Sequence, residues 1–354
     1  MRIAFVNSTR RWGGVKTWCL SNGAAALAKG HDVFVYGRDE RFVEAARAQG
    51  MEGRLMPFGA DFNPRSIAAF YAEFRRRNIS HVVVNVGKDI RTAGIAARLR
   101  GLPVVVHVGA PHDFSPSPVH LWVHRFIRPA YVGTSKFIVN GIRKHVSYLA
   151  DARVEAVHPG TLMPPHPPFP SCRPYTLITT SQLTPPKRHQ DLLRACGQLK
   201  REGLDFRLRI VGTGDQEQTL RALAVACDLE DRVVFRGFVS DVGAELRQAD
   251  IFVLPTDAEP LGIALEEAMA HGLFPLARNS GGVPEIWPAR FRARLLSPGA
   301  GPEEFAAGLR SLLAVEPSVL DEWRQAVQNH ARAAFSQEAQ FEKFAAFLES
   351  CRSA

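Results

Sequence analysis

The sequence has no long apolar run: no stretch approaches the roughly 18 residues that a helix needs to cross a bilayer. Its five cysteines form no Cys-x-x-Cys pair, and their odd number favours neither a disulfide framework nor a zinc site. The first residues, MRIAFV, lack the long apolar core of a signal peptide. These absences predict a cytoplasmic protein with reduced thiols, which meets a membrane only at its surface.

Several motifs for cofactors and catalysis are also absent. There is no Gly-x-x-x-x-Gly-Lys-Ser/Thr phosphate loop and no Gly-x-Ser-x-Gly nucleophile elbow. Gly212 and Gly214 lack the third glycine of a dinucleotide fingerprint. No Asp-x-Asp pair is available to hold Mn²⁺ or Mg²⁺ on a diphosphate. We therefore expect neither a metal ion nor a bound cofactor.

The excess of positive over negative charge is confined to the first half of the chain. Residues 1–160 hold 23 Lys and Arg against 11 Asp and Glu, whereas the remaining residues hold 21 against 24. A basic surface favours an anionic partner, and peripheral contact with an anionic membrane fits a cytoplasmic protein. Nucleic acid is disfavoured, because no RNP-like, zinc-finger or basic-zipper pattern occurs. A solvated arginine-rich surface explains the charge equally well.

Short apolar runs alternate with helical patterns along both halves of the 354 residues, which are too many for one ordinary core. This alternation predicts an α/β chain with two doubly wound, Rossmann-like domains facing a cleft. The proline-rich stretch HPGTLMPPHPPFPSCRP marks the change from one domain to the other. The predicted parts are a first domain at 1–160, a linker at 161–174, a second domain at 175–335 and a C-terminal helix at 336–354 that packs back on the first domain.

The stretch EPLGIALEE at 259–267 places two carboxylates around a predicted helix start. Acids near a helix N-terminus are favoured by capping and by the helix dipole, so this stretch alone predicts an ordinary helix start. However, Glu259 follows the buried strand pattern IFVLP, and Gly262 permits close approach of a ligand. The N–H groups of Leu261, Gly262 and Ile263 are then available to an anion, and Glu267 is too deep in the helix to cap it.

Five motifs in register around this stretch carry a resemblance to a known family. Residues 181–285 look like the donor domain of the retaining GT-B glycosyltransferases of glycosyltransferase family 4. The motifs are TSQLTPPKRHQDLLRA, IVGTGDQEQTLRALA, RVVFRGFVSD, QADIFVLPTDAEPLGIALEEAMAHG and NSGGVPEI. The first half resembles the family more loosely, through WGGVKTW and NVGKDIRTAGIAARLRG.

The resemblance implies a role for each matching residue. Glu259 would contact hydroxyls of the donor sugar near the reacting carbon, and Glu267 would bind the ribose of the nucleotide. Lys187 would neutralise the leaving diphosphate. Gly13 and Gly14 would bring backbone amides close to the phosphate from the first domain, although alone they predict only a tight turn between strand and helix.

The sequence departs from the family pattern at one position that matters for charge. The family usually carries an arginine a few residues before the motif lysine, and here the neutral Gln182 stands five positions before it. Arg188 or Arg173 is a candidate substitute. The resemblance also implies that Val239 contacts the base through its backbone and that Gly212 lies in the donor site.

A second departure concerns the histidine that many members carry after the strand that reads PVVVHVG here. The family position falls near Gly109, and the nearest histidines here are His107 and His112. Each is a candidate for contact with a sugar, and His107 is also a candidate core residue. For the acceptor, Lys88 and Asp89 follow a predicted strand and suit an anionic ligand.

The leading hypothesis is a metal-independent retaining glycosyltransferase that moves a sugar from a nucleotide-sugar donor to a glycan or lipid-linked acceptor. The family habit and the basic first half favour synthesis of a bacterial surface polysaccharide or lipopolysaccharide. Two alternatives are a nucleotide-sugar epimerase of the same architecture and a catalytically silent nucleotide-sugar-binding protein. The base, the sugar, the linkage and the oligomeric state stay open.

Overall fold

The chain folds as two compact α/β units. The computed structural model describes residues 1–10, 12–85, 87–110, 114, 117–165 and 167–351. The first unit consists of Met1–Gly160 with Gln337–Ala354, and the second of Thr161–Ser336.

The first unit is built on a parallel sheet of seven strands in the order β3-β2-β1-β4-β5-β6-β7. The strands are β1 (Arg2–Asn7), β2 (Asp32–Gly37), β3 (Glu52–Leu55), β4 (His81–Val84), β5 (Val104–Val108), β6 (Ala130–Gly133) and β7 (Val154–Ala156). The central strands are runs of Val, Ile and Phe that are buried on both faces. Such continuous apolar runs are expected where helices cover both sides of a parallel sheet.

Seven helices connect these strands. They are α1 (Gly14–Ala28), α2 (Glu40–Ala48), α3 (Pro64–Arg76), α4 (Gly87–Asp89), α5 (Ile95–Leu99), α6 (Pro118–Ile127) and α7 (Lys136–His145). A π-helical turn, Ile90–Gly94, joins α4 to α5, and a 3-10 turn, Ser147–Leu149, precedes β7. Helices α3, α6 and α7 are capped by the residues that precede them, Asn63, Ser117 and Ser135, whose side chains accept hydrogen bonds from N–H groups of the first turn.

The second unit contains a parallel sheet of five strands in the order β10-β9-β8-β11-β12. The strands are β8 (Thr176–Thr180), β9 (Arg207–Val211), β10 (Val233–Gly237), β11 (Ile251–Leu254) and β12 (Phe274–Ala277). Its helices are α8 (His189–Arg201), α9 (Glu217–Ala226), α10 (Val242–Leu246), α11 (Ile263–Ala270), α12 (Val283–Ile286), α13 (Pro302–Leu313) and α14 (Pro317–Phe335), with 3-10 turns at Pro185–Lys187 and Ala289–Arg294. The predicted α/β class and the two doubly wound parallel sheets are confirmed.

The proline-rich stretch predicted as a linker at 161–174 packs within the second unit. The buried guanidinium of Arg324, on α14, donates to Phe169 O at 2.9 Å and to Ser171 Oγ at 2.6 Å. The N–H of Thr161 donates to Phe335 O at 2.7 Å. The boundary therefore falls at 160/161 and not across a separate linker, because carbonyl and hydroxyl groups of this stretch satisfy a cation that α14 buries.

The last helix, α15 (Gln337–Ser350), belongs to the first unit. Its Phe344 ring lies 5.2 Å from the Trp18 ring and 6.5 Å from the Phe5 ring, in the core under β1 and α1. Lys29, the residue after α1, forms ion pairs with Glu338 and Glu342 on the outer face of α15. Across the residues that are described, no helix has the length and apolarity needed to cross a membrane.

Candidate active site

The second sheet has its topological switch between the neighbouring strands β8 and β11. The connection after β8 leads towards α8 on one side, and the connection after β11 leads to α11. In open α/β sheets, ligands bind outside the carboxyl ends of the strands at such a switch. This edge therefore defines the candidate site in the second unit.

An ion pair joins the two connections at this edge. Lys187 Nζ lies 2.8 Å from Glu259 Oε2, and both side chains are largely shielded, with 24% and 12% of their areas exposed. The backbone also ties the connections, since the N–H of Asp257 donates to Pro186 O at 3.2 Å. The structure thus brings together the residues predicted to meet the diphosphate and the donor sugar, which are 72 positions apart in the chain.

Helix α11 begins directly beside this ion pair. Gly262 precedes it with a φ of +106°, and a Cβ at Gly262 would lie 3.7 Å from Glu259 Cγ. Leu261 is buried and anchors the connection, whereas Ile263 is exposed. The first N–H groups of a helix lack acceptors inside it and carry its positive dipole end. The start of α11 therefore offers donors for an anion next to Lys187.

Two close backbone contacts fix the geometry of this edge. A Cβ on Gly281, whose φ is +54°, would lie only 1.8 Å from Glu259 O. A Cβ on Gly212, at φ +133°, would lie 2.0 Å from Ser181 O. Glycine is therefore required at both positions, because any side chain would displace the backbone beside it. The motifs containing these glycines act as supports of the site.

The carboxylates of α11 lie in poorly solvated surroundings. Burial raises the pKa of Glu267, the residue predicted to bind ribose. Its neighbour Glu266 is fully buried, and burial together with the charge of Glu267 raises the pKa of Glu266 to about 8. Glu266 is therefore protonated at neutral pH. Sequence reasoning did not single out Glu266, although the doubled acid in ALEE is a visible signal.

The position that lacks the expected arginine stays neutral. Gln182 is exposed after β8, and Arg188 donates through Nε to Asp191 at 3.0 Å while lying 3.8 Å from Asp257. Arg173 precedes the amino end of β8 and bonds Val315 O and Glu316 instead. Arg173 therefore lies at the opposite edge of the sheet from Lys187, and of the two candidates only Arg188 borders the site.

The segment after β10 lies at the same edge as the loop of Gly212. Gly212 N–H donates to Gly237 O at 2.8 Å, which ties the end of β9 to the end of β10. Val239, predicted to contact the base, is half-buried just beyond, and the preceding Phe238 is 81% exposed. Val239 therefore lies at the carboxyl edge of the sheet beyond β10, which is separated from the switch by β9.

His189 is a residue at this edge that the sequence reasoning missed. It opens α8 two positions after Lys187, is buried, and lies 3.0 Å through Nε2 from Ser181 Oγ. Burial, together with the charge of Lys187, lowers its pKa to about 4, so the ring is neutral at neutral pH. It supports the connection that carries Lys187. Its place in the PPKRH motif was the available signal.

In the first unit the predicted residues that are described lie on two connections, after β1 and after β4, and on strand β5. Gly13 and Gly14 stand at the start of α1, exposed, with no atom within 4 Å of a Cβ placed on either. Asp89 is buried and accepts the N–H of Ser8, so it ties the end of β1 to α4. Lys88 donates to Gly59 O and pairs with Asp61.

His107, predicted as a catalytic candidate, lies within the core of the first unit. Only 3% of it is exposed, and its ring stacks on Trp18 with centroids 3.9 Å apart. Burial lowers its pKa to about 3, and neither ring nitrogen has a hydrogen-bond partner among the described residues. This geometry favours the core alternative for His107. The other candidate, His112, lies outside the described residues.

The comparisons with known proteins fall mainly on the second unit. Residues 170–333 match the family model for glycosyl transferases group 1. The chain is 31% identical over 185 residues to the putative colanic acid biosynthesis glycosyltransferase WcaL of Salmonella typhimurium, covering 50% of this chain and 45% of that protein. It is 35% identical over 122 residues to the amylovoran biosynthesis glycosyltransferase AmsK of Erwinia amylovora, covering 32% and 30%. The matches thus span less than half the length of these relatives.

Similarity of fold extends over the whole chain. The Anabaena protein Alr3699/HepE, solved with UDP and glucose, superposes with a TM-score of 0.79 at 20% identity, covering 99% of this chain and 100% of that one. At this identity the likeness concerns the fold, which is GT-B. The family model thus matches the part of the chain, residues 170–333, that includes the Lys187–Glu259 pair and α11.

Proposed function

We propose that this chain is a retaining, metal-independent glycosyltransferase that moves a sugar from a nucleotide-sugar donor to a glycan or lipid-linked acceptor. The observation that carries the proposal is the Lys187–Glu259 pair, held 2.8 Å apart at the switch point beside the start of α11. A cation, a row of helix N–H groups and a carboxylate stand together there. This combination suits a ligand that has a diphosphate next to hydroxyl groups.

Each group has a role in donor binding under this proposal. Lys187 and the first amides of α11 bind the diphosphate and stabilise the charge that develops on it as it leaves. Glu259 accepts hydrogen bonds from hydroxyls of the donor sugar, and Glu267 accepts those of the ribose. The backbone near Val239 contacts the base. Lys187 and the helix dipole supply the positive charge that a metal ion supplies in other glycosyltransferases.

The proposed reaction is a substitution on one face of the sugar. The bond from the anomeric carbon to the diphosphate oxygen breaks, and the acceptor oxygen bonds to the same face of that carbon. The leaving phosphate takes the proton of the acceptor hydroxyl, so no protein base is required. A double displacement would need two carboxylates close to the sugar. Here Glu267 is assigned to the ribose, which leaves Glu259 alone.

The names of the relatives guide the proposed acceptor and donor. WcaL and AmsK are described as glycosyltransferases of colanic acid and amylovoran biosynthesis, and HepE was solved with UDP and glucose. We therefore propose a growing surface polysaccharide or its lipid-linked precursor as acceptor, reached at the cytoplasmic face of the membrane. Lys88 remains a proposed acceptor residue of the first unit. Asp89, also predicted there, is buried and accepts the N–H of Ser8, so it supports the connection that carries Lys88. A uridine nucleotide is the first donor to test.

One observation favours a second candidate, a nucleotide-sugar-binding protein without turnover. Gln182 is neutral and exposed, and Arg188 is engaged by Asp191, so the leaving diphosphate meets one free-standing cation fewer than the family pattern provides. Under this candidate the chain binds a nucleotide diphosphate but transfers no sugar. An epimerase would convert the donor without any acceptor. This distinguishes it from the glycosyltransferase and from the binding protein.

The test is a donor screen followed by a transfer assay. Thermal unfolding with UDP, GDP, ADP and their sugars identifies the nucleotide, because a ligand of the folded state raises the unfolding temperature. Incubation of that donor with lipid-linked glycan, in buffer and in excess EDTA, then reports transfer, and NMR of the product reports its anomeric configuration. We expect a product with the donor's configuration and the same rate in EDTA. Inversion, loss of activity in EDTA, or conversion without acceptor would each refute the corresponding part of the proposal.

A further inference from the structure

Trp12 lies on the connection between β1 and α1, immediately before Gly13 and Gly14. The order of the first sheet reverses between the neighbouring strands β1 and β4, so this connection stands at the topological switch of the first unit. The bond from the N–H of Ser8 to Asp89 ties it to the connection after β4. Because ligands of open α/β sheets bind at such a switch, Trp12 lies where a ligand of the first unit is expected.

Trp12 is unusually accessible for a residue with such a large apolar ring. It is 53% exposed, whereas Trp18 of α1 is 5% exposed and packs in the core. Gly13 and Gly14 bring no side chain to cover it, and a Cβ on either would have no atom within 4 Å. Tryptophan is highly buried on average in folded proteins, so an exposed indole at a ligand-binding edge points to contact with a ligand.

A buried lysine holds the exposed ring from within the unit. Lys16, in the first turn of α1, is 1% exposed, and its Nζ lies 5.8 Å from the centroid of the Trp12 ring. The same ammonium forms an ion pair with Asp39, the residue before α2, and lies 5.5 Å from the centroid of the Phe42 ring. A cation over an aromatic ring is attracted by it, and more strongly where water is excluded. The indole is therefore held against a fixed charge, unlike an isolated surface side chain.

The surroundings of Trp12 distinguish between the ligands that pack on an indole. Lys16 is already paired with Asp39, so its charge orients the ring and is not available to a phosphate. A lipid tail would need further apolar side chains, and the other described residues of this connection, 8–10 and 13, supply none. A pyranose presents a face of C–H groups that packs on an aromatic ring while its hydroxyl groups stay in water. A sugar ring therefore fits an indole that is oriented, half exposed and without apolar neighbours.

We propose that a pyranose ring of the acceptor stacks on Trp12, and that Lys16 is the residue that positions this indole. The charged groups proposed to bind the nucleotide sugar, Lys187, Glu259 and Glu267, belong to the second unit, so the indole of the first unit is assigned to the other substrate. The acceptor is then a glycan, not a protein hydroxyl or an acyclic polyol. Its identification as the acceptor rests on the proposed transferase, whereas the stacking itself does not.

The first experiment measures sugar binding without turnover. Saturation-transfer NMR of the whole chain is recorded with methyl β-D-glucoside, with methyl β-D-galactoside and with the acyclic polyol sorbitol. We expect transfer to ring C–H groups of at least one glycoside and none to sorbitol. Trp12→Ala should weaken glycoside binding about tenfold, as loss of an aromatic contact does, and Trp12→Phe should weaken it less. The matched control is Trp122→Ala, which removes an indole of α6 that is 54% exposed and should leave binding unchanged.

The second experiment separates a role in acceptor binding from a role in the fold. Trp12→Ala should raise the KM for the glycan acceptor about tenfold and leave kcat and the donor KM unchanged. The double variant Lys16→Met, Asp39→Asn removes the positioning cation without leaving a buried charge unpaired. It should raise the same KM less than Trp12→Ala does, and it should add nothing when combined with Trp12→Ala. Thermal unfolding checks that each variant is folded.

The outcomes distinguish the stacking proposal from the proposed transferase. Equal glycoside binding by the parent chain and Trp12→Ala, or no glycoside binding by the parent chain, would overturn the stacking. Weaker binding of UDP by Trp12→Ala, with glycoside binding unchanged, would overturn it in favour of a nucleobase site. Glycoside binding that depends on Trp12, in a chain that transfers no sugar, would uphold the stacking and refute the transferase.

Discussion

The carboxyl edges of the two parallel sheets use their polar side chains differently. In the second unit, Lys187 and Glu259 meet on neighbouring connections in a partly open position. In the first unit, the buried Asp89 accepts a hydrogen bond from the N–H of Ser8, and His107 is buried against Trp18. The carboxyl edge of a parallel sheet thus carries a partly exposed ion pair at Lys187 and Glu259 in one unit, and buried side chains at Asp89 and His107 in the other. Predictions that contrast the two edges test this difference.

The largest effect is expected from Lys187→Ala. Removing the cation beside the leaving diphosphate should lower turnover by about 10²- to 10³-fold, as loss of one preorganised electrostatic contact does in other enzymes. Steady-state transfer assays measure it. The matched control is Lys200→Ala, which removes a lysine of the same unit that pairs with Asp228 and Asp231 on the surface. An equal loss in both variants would show that Lys187 acts only on the fold.

The next effect concerns the backbone support of Glu259. Gly281→Ala places a Cβ 1.8 Å from Glu259 O and requires a positive φ, so we expect a loss of about 2–4 kcal/mol in the free energy of unfolding. Gly203→Ala also requires a positive φ but meets no atom within 4 Å, and should cost only about 1 kcal/mol. Urea unfolding measures the loss of free energy of unfolding in each of the two variants. Equal costs would contradict a tight contact at Glu259.

An effect that depends on pH is expected from Glu266→Gln. The folded chain keeps Glu266 protonated up to a pKa of about 8, whereas the unfolded chain loses the proton near 4.5. Stability contributed by the neutral acid is thus complete below pH 4.5 and declines as pH rises towards 8. Glutamine cannot ionise. The free energy of unfolding of the variant, relative to that of the parent chain, should therefore rise by at most about 1.4 kcal/mol per pH unit in this window. Urea unfolding at several pH values measures the gain, and a constant difference would contradict the pKa.

The smallest effect contrasts one buried histidine from each unit. His107→Phe keeps a ring against Trp18 and removes two nitrogens that have no hydrogen-bond partner in the described part of the chain. Stability should therefore stay unchanged or rise by up to about 1 kcal/mol. His189→Phe loses the bond to Ser181 and should cost about 1–2 kcal/mol. Chemical unfolding and transfer assays on both variants are required. A folded His107→Phe variant without transfer would restore the catalytic role predicted for His107.

The sequence predicted the class of fold and the motif residues of the second unit. The alternation of apolar runs and helical patterns requires only local information, and the motifs were in register. Their meeting depends on the tertiary structure. Lys187 Nζ donates to Glu259 Oε2, and the backbone bond from Asp257 N–H to Pro186 O ties together the two connections that carry them. No spacing rule predicts either contact.

Other features depended on distant partners and could not be predicted. Residues 161–174 pack on the second unit because Arg324, more than 150 positions later, buries its guanidinium against Phe169 and Ser171. His107 lies in an alternating strand pattern that fits a core and a cleft equally well. Only the stacking of Trp18 on its ring distinguishes the two positions.

The division of roles between Glu259 and Glu267 is the central claim, and one paired measurement tests it directly. Affinity for the nucleotide diphosphate and the rate of sugar transfer are measured for Glu259→Gln and Glu267→Gln. We predict that Glu267→Gln weakens diphosphate binding about tenfold, the loss of a charged hydrogen bond, and that Glu259→Gln does not weaken this binding, since it leaves Lys187 free for the diphosphate, while lowering transfer severely. Full transfer by Glu259→Gln, or undiminished diphosphate affinity in Glu267→Gln, would contradict the account.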